Sequence, residues 1–173
     1  MLRPLNPGGK LPVTFPVTVG QLPLYYNHKP AGRAIYDYVN LRGKQALFPF
    51  GHGLSYTEFE YKNLKIKKTN IKGKVLARVS FEIRNIGKYK GDEVAQLYIR
   101  DVFSSMVRPV KELKEYRRII LDVNETSGVE FVLTEKELSF LDYSMRAVLE
   151  PGTFEIMIGS SSEDIRLRKK LEI

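Results

Sequence analysis

From Glu58 to the C-terminus, apolar and polar residues alternate in short runs, and each run ends in a turn. Phe59, Tyr61, Leu64 and Ile66 open the series; their alternation slips near Asn63, as a bulge would make it. Val75, Ala77, Val79, Phe81 and Ile83 alternate without a break, which predicts a half-buried strand. Ala95, Leu97 and Ile99 form the apolar row of the next strand, opposite Val94, Gln96, Tyr98 and Arg100. Residues 110–121 carry two patterns. Val110, Leu113 and Tyr116 recur at helical spacing, but Arg118-Ile119-Ile120-Leu121 reads as strand, and strand is the expectation. Val129, Phe131 and Leu133 follow. Thr134 and Glu137 then have the spacing of a capping box, predicting a short helical turn through Leu138 that Phe140-Leu141-Asp142 closes. Met145, Ala147 and Leu149, then Phe154, Ile156 and Ile158, then Ile165, Leu167, Lys169 and Leu171 complete the series. About seven or eight short strands without alternating helices exclude a parallel α/β sheet and predict an all-β, antiparallel sandwich. Its core is expected to include Val79, Phe81, Leu97, Phe131, Phe154 and Ile156.

Before residue 49 the pattern is different. Asn6-Pro7-Gly8-Gly9 is a turn. Leu11, Val13 and Phe15 alternate as a short strand that Pro16 ends. A lone strand lacks a sheet to pair with, so poor order or opportunistic packing is expected here. Leu24 to Arg33 is a loop by composition, with Asn27, Pro30 and Gly32 as turn residues. It gathers Tyr25, Tyr26, His28, Lys29 and Arg33, and aromatic faces with planar donors suit sugar rings and hydroxyls. The plainer reading is that its tyrosines pack a seam and its charges face water. Residues 34–48 have no sustained period and read as a linker. At Pro49-Phe50-Gly51-His52-Gly53-Leu54-Ser55-Tyr56-Thr57 two glycines flank His52 and allow close backbone approach, while Phe50, Leu54, Tyr56 and Phe59 are placed to pin the turn to a core.

These stretches carry a resemblance. Residues 49–57 resemble the Pro-Phe-Gly-Tyr-Gly-Leu-Ser-Tyr-Thr signature of glycoside hydrolase family 3, the β-glucosidases and β-xylosidases, departing only at His52. Asn6 to Pro16 resembles the family's Asn-Pro-Ser-Gly-Arg-Leu-Pro-Val-Thr-Phe-Pro. Tyr25 to Arg33 resembles Tyr-Tyr-Asn-His-Lys-Pro-Ser-Gly-Arg, and Gly91 to Ile99 resembles Gly-Asp-Glu-Val-Val-Gln-Leu-Tyr-Val. The resemblance implies that residues 1–48 are the remnant of an α/β sandwich domain and its linker. Residues 49–173 would then be an immunoglobulin/fibronectin type III-like β-sandwich, giving an all-β chain with an irregular N-terminal extension. It also implies that both catalytic carboxylates of a retaining hydrolase, which must lie ~5–5.5 Å apart, fall before Met1. No catalytic residue is assigned. The one candidate site is a border of the saccharide pocket formed by Tyr26, Asn27, His28, Lys29 and Arg33.

Composition narrows the alternatives. Hydrophobic residues are 43% and charged residues 28%, a globular balance. No apolar run approaches the ~20 residues of a membrane span, and the N-terminus lacks the apolar core of a signal peptide, so a soluble chain is expected. The absence of cysteine removes disulfide and thiolate chemistry, and two histidines are too few for a histidine metal cluster. No cofactor or metal is expected. The net charge of +8 is carried by runs such as Lys65-Ile66-Lys67-Lys68 and Arg166-Leu167-Arg168-Lys169-Lys170. Interleaved in this way, charge guards a strand edge, and no nucleic-acid-reading motif accompanies it. Asp92 and Glu93 are adjacent on a strand and point to opposite faces. Glu58 with Glu60 and Glu112 with Glu115 read likewise as surface carboxylates. The expected function is an accessory C-terminal module of a retaining β-glycoside hydrolase, inactive alone, whose partners are the barrel and α/β domains in cis or in trans. β-linked glucosides or xylosides would be reached only through the full enzyme. A stand-alone carbohydrate-binding module, or one half of a split hydrolase, is the alternative.

Overall fold

The computed structural model describes residues 5–30, 46–71 and 75–173. Strands β1 (Phe59–Ile71), β2 (Val75–Asn85) and β5 (Thr126–Leu133) form one antiparallel sheet in the order β1-β2-β5. The second sheet holds β3 (Gly91–Asp101), β4 (Glu112–Leu121), β8 (Thr153–Gly159) and β9 (Ile165–Glu172) in the order β4-β3-β8-β9. Helix α1 (Glu135–Leu138) and the two-residue strands β6 (Phe140–Leu141) and β7 (Ala147–Val148) lie between β5 and β8.

Alternation places the core between the sheets. Val79, Phe81 and Ile83 of β2 face Ala95, Leu97 and Ile99 of β3, with Phe131 from β5 and Phe154, Ile156 and Ile158 from β8, all buried. Phe81 stacks on Tyr61 at 6.1 Å and meets Phe131 at 5.9 Å. Each of the Val, Leu, Ile and Phe side chains contributes about 1.5–3 kcal/mol over remaining exposed. The slip near Asn63 is real: pairing jumps from Lys62↔Glu82 to Lys65↔Ser80, and Asn63 takes φ of 59°. Thr134 caps α1 by accepting from the Lys136 amide, while the Glu137 carboxylate accepts from the Thr134 amide at 2.7 Å.

Three local expectations are corrected. The strand expected through Met145, Ala147 and Leu149 shrinks to Ala147–Val148. Asp142 Oδ1 accepts from the amides of Ser144 (2.8 Å) and Arg146 (2.9 Å), drawing the chain into a tight turn with Met145 at φ 59°. Phe140-Leu141, expected to close the helical turn, is instead the partner strand of that hairpin. The strand expected through Leu11, Val13 and Phe15 is reduced to one bridge between Phe15 and Phe48.

The N-terminal segment nevertheless has a defined seat. Residues 5–30 and 46–56 form a strap across the outer face of β3 and β4. Leu11 and Gly51 exchange backbone bonds with their neighbours: Leu11 N donates to His52 O and Gly51 N to Leu11 O, both at 2.8 Å. Beneath the strap Val94, Gln96 and Tyr98 are buried, so β3 is covered on both faces although its sequence alternates.

Candidate functional site

The loop singled out by its aromatic and planar groups starts at Leu24. Tyr26 turns inward. Its ring stacks on Phe50 at 4.2 Å and meets Tyr98 edge-on at 5.9 Å, and its hydroxyl accepts from the Leu113 amide at 3.2 Å. Burial raises the Tyr26 phenol pKa above its ordinary value. The His28 carbonyl accepts from the Val110 amide at 3.0 Å, and its ring Nδ1 lies 3.1 Å from Lys29 O. Asn27 and Lys29 are exposed. The structure therefore brings Tyr26 and His28 onto the sandwich and leaves Asn27 and Lys29 facing out; Arg33 lies outside the described residues. Tyr26 and His28 are the two anchors of this loop on the sandwich. Tyr26 and Asn27 also border a cavity of about 540 Å³ with an apolar wall that includes Pro12, Leu22 and Phe50.

The turn at residues 49–57 shows why its glycines are needed. Gly51 has φ of +78°, and a Cβ on it would sit 2.1 Å from Gln96 Oε1. Gln96 is 3% exposed and spends its amide fully: Nε2 donates to Gly51 O (3.2 Å) and Ser160 O (2.6 Å), and Oε1 accepts from the Tyr98 hydroxyl (2.5 Å). A Cβ on Gly53 would meet Gly9 O at 2.3 Å. Phe50 and Phe59 pin the turn as expected, but Leu54 and Tyr56 do not: they are 72% and 63% exposed. Thr57 donates to Asn85 Oδ1 at 2.6 Å. Asn85, wholly buried, also accepts from the Gly87 amide and donates to the carbonyls of Tyr89 (2.7 Å) and Leu121 (3.1 Å). The turn, the β2–β3 connection and the end of β4 thus meet on one side chain.

A polar cavity of about 320 Å³ opens between this turn and the Ser160-Ser161-Ser162 run, lined in part by Lys10, Glu93, Asp164 and Arg166. Glu93, expected at the surface, is 5% exposed and pairs with Lys10 of the strap at 2.9 Å. Its position on the inner-facing row of β3 puts it at the sandwich's end, where Lys10 of the strap pairs with it and the Arg166 guanidinium of β9 adds a second positive charge nearby. Hydrogen bonding to Arg166 holds the Asp164 carboxyl below its usual range despite burial. Elsewhere, burial raises the Asp101 carboxyl although Arg108 opposes it. Burial also acts to raise Glu112, but Arg108 and Lys114 outweigh it and lower that carboxyl. Retaining glycoside hydrolysis needs one carboxylate free to attack and another that keeps a proton. The buried and half-buried carboxylates here each lie beside a cation, Glu93 with Lys10, Asp101 and Glu112 with Arg108, and Asp164 with Arg166, an arrangement that suits ion pairing. Among the described residues no group of three or more His, Asp or Glu is placed to hold a metal ion, and no helix is long and apolar enough to cross a membrane.

The structure is an antiparallel β-sandwich, and in comparison with known proteins the fibronectin type III-like domain family matches residues 93–162 of it. Over 92% of its length the chain is 44% identical to a "Beta-xylosidase" of Formosa agariphila, of which it covers 22%. It is 37% identical over 98% of its length to "Thermostable beta-glucosidase B" of Acetivibrio thermocellus, covering 24%. The β-glucosidase from Listeria innocua in complex with glucose superposes on 96% of the chain with a TM-score of 0.86 and 38% identity, and 24% of that protein is covered. The chain is homologous to the C-terminal portion of family 3 β-glucosidases and β-xylosidases, and spans between a fifth and a quarter of their length.

Proposed function

We propose that this chain is the accessory C-terminal module of a retaining β-glycoside hydrolase, a β-glucosidase or β-xylosidase, and that it acts by clamping a strap of the neighbouring α/β domain. In this reading residues 1–48 belong to that domain and its linker, and residues 49–173 are the sandwich. One observation carries it: residues of the first segment are seated on the sandwich by polar contacts, Lys10 on Glu93 and the Tyr26 hydroxyl on the Leu113 amide, while apolar side chains of the strap stay exposed. Val13, Phe15, Leu22, Tyr25 and Phe48 are 41–63% exposed. Clustered exposed apolar groups mark a partner surface, and the relatives are far longer chains. The partners are the catalytic barrel and the remainder of the α/β domain, and β-linked glucosides or xylosides meet this chain only through them. Tyr26, by anchoring the loop, sets the direction of Asn27, His28 and Lys29 at the border of that saccharide pocket.

The test pairs this chain with the Acetivibrio thermocellus enzyme shortened by its C-terminal quarter. Sedimentation is expected to show a one-to-one complex, with aryl β-glucoside hydrolysis rising on mixing and none from this chain alone. Absence of a complex, or turnover by this chain lost on mutating one of its own carboxylates, would overturn the reading.

A further inference from the structure

The outer face of β3 and β4 carries a second groove, separated by Phe50 and Pro12 from the cavity beside Asn27. Its volume is about 300 Å³, enough for a pyranose ring. Val94, Leu113 and Phe50 form the floor; Lys10 stands on the strap side, and Tyr116 and Arg118 on the β4 side. Tyr116 is 67% exposed and lies opposite buried Gln96 in the strand register. Two residues along a strand are about 6.6 Å apart on one face, so the Tyr116 ring and the Arg118 guanidinium stand side by side at the spacing of one sugar unit.

The two cations that line this groove are each paired with a carboxylate just outside it. Arg118 Nη1 pairs with Asp92 and Lys10 Nζ with Glu93, each at 2.9 Å. A locally neutral groove does not favour phosphate or nucleic acid, despite the net charge of +8. Arg118 has five N–H donors and uses one nitrogen on Asp92, leaving others for hydroxyl groups. A rigid aromatic face, a planar donor beside it and an apolar floor suit the C–H face and the equatorial hydroxyls of a neutral sugar.

We propose that this groove is a non-catalytic subsite for one or two glucosyl or xylosyl units of a neutral β-linked oligosaccharide, with Tyr116 as the stacking platform and Arg118 as the hydrogen-bond donor. The sugar class rests on the kinship with β-glucosidases and β-xylosidases; the site rests on the groove. The test is an amide NMR titration of the 173-residue chain with cellotetraose and with xylotetraose, glucose serving as the short control. Saturable shifts are expected at the amides of residues 94–96, 113–118 and 50–51. Tyr116→Ala is expected to weaken binding about tenfold and Tyr116→Phe to keep it. Tyr116 lies outside the core, so its variants keep the fold, and the unshifted amide spectrum of β2 checks this directly. Shifts centred on residues 24–30, no saturable shift with either tetrasaccharide, or unchanged affinity in Tyr116→Ala would each overturn the proposal. Complex formation with the truncated hydrolase is a separate readout, so loss of sugar binding leaves the clamp untouched and the reverse also holds.

Discussion

Asn85 shows how much a single side chain holds here. It ties Thr57, Gly87, Tyr89 and Leu121 together inside the protein, and truncating it strands buried donors and acceptors. Asn85→Ala is expected to cost about 2–3 kcal/mol in denaturant unfolding; a loss below about 0.5 kcal/mol would show that water replaces the amide at no cost. The sequence does not set Asn85 apart, because a turn asparagine and a buried asparagine look alike until the partners are placed. Gln96 was hidden in the same way: its alternation assigned it to the outer side of β3 without showing that the strap buries that side. Buried phenols give a second test. Burial raises the pKa of Tyr98, with Tyr26 and Glu163 adding to the shift, and burial likewise raises those of Tyr61 and Tyr26. Their neutral forms stabilise the fold fully below the unfolded value of about 10, and that contribution is lost as pH climbs from there towards the raised folded values. With no Trp to obscure it, ultraviolet titration should find three of the ten tyrosines lagging until the chain unfolds. Ionisation of all accessible and buried tyrosines in one step near pH ~10, with the fold intact, would contradict their burial.

At the scale of elements, alternation was a sufficient guide wherever one face meets a core and the other meets water. β2 and β5 follow it, and their inward residues are those the pattern names; in β8 it gives the inward Phe154, Ile156 and Ile158 but not the burial of Met157, which pairs with Tyr98 on the covered outer face. Phe81→Ala should cost about 3–5 kcal/mol, since the ring sits between Tyr61 and Phe131 and its loss leaves a cavity; a cost under about 1 kcal/mol would mean the sheets close over the gap. The pattern failed where something other than the core decides. In the β6–β7 hairpin the Asp142 carboxylate dictates the turn and outweighs the apolar spacing of Met145, Ala147 and Leu149. Leu11, Val13 and Phe15 alternate like a strand, yet they cross the sheet without joining it, held at Leu11 and Phe15 alone. Glu93 reads as a surface carboxylate because its countercharge, Lys10, is eighty-three residues away in the chain.

The whole molecule is a sandwich with a strap welded to one face and an apolar side of that strap turned outward. That division of surfaces is what supports the proposed module, with one side of the strap seated and the other left for a partner. The Tyr26 stack and the Lys10–Glu93 pair hold the strap whether or not a partner is present, whereas Val13, Leu22 and Tyr25 gain burial only from one. Hydrogen exchange separates these two groups of residues in one experiment. In the isolated chain the amides of Leu11, Phe15, Phe48 and Gly51, each bonded within the strap, are expected to exchange slowly. On adding the truncated hydrolase, residues 12–25 should gain protection while β2 and β5 stay unchanged. Fast exchange at Leu11 and Gly51 in the isolated chain, or no new protection over residues 12–25 with the partner at saturation, would contradict the clamp.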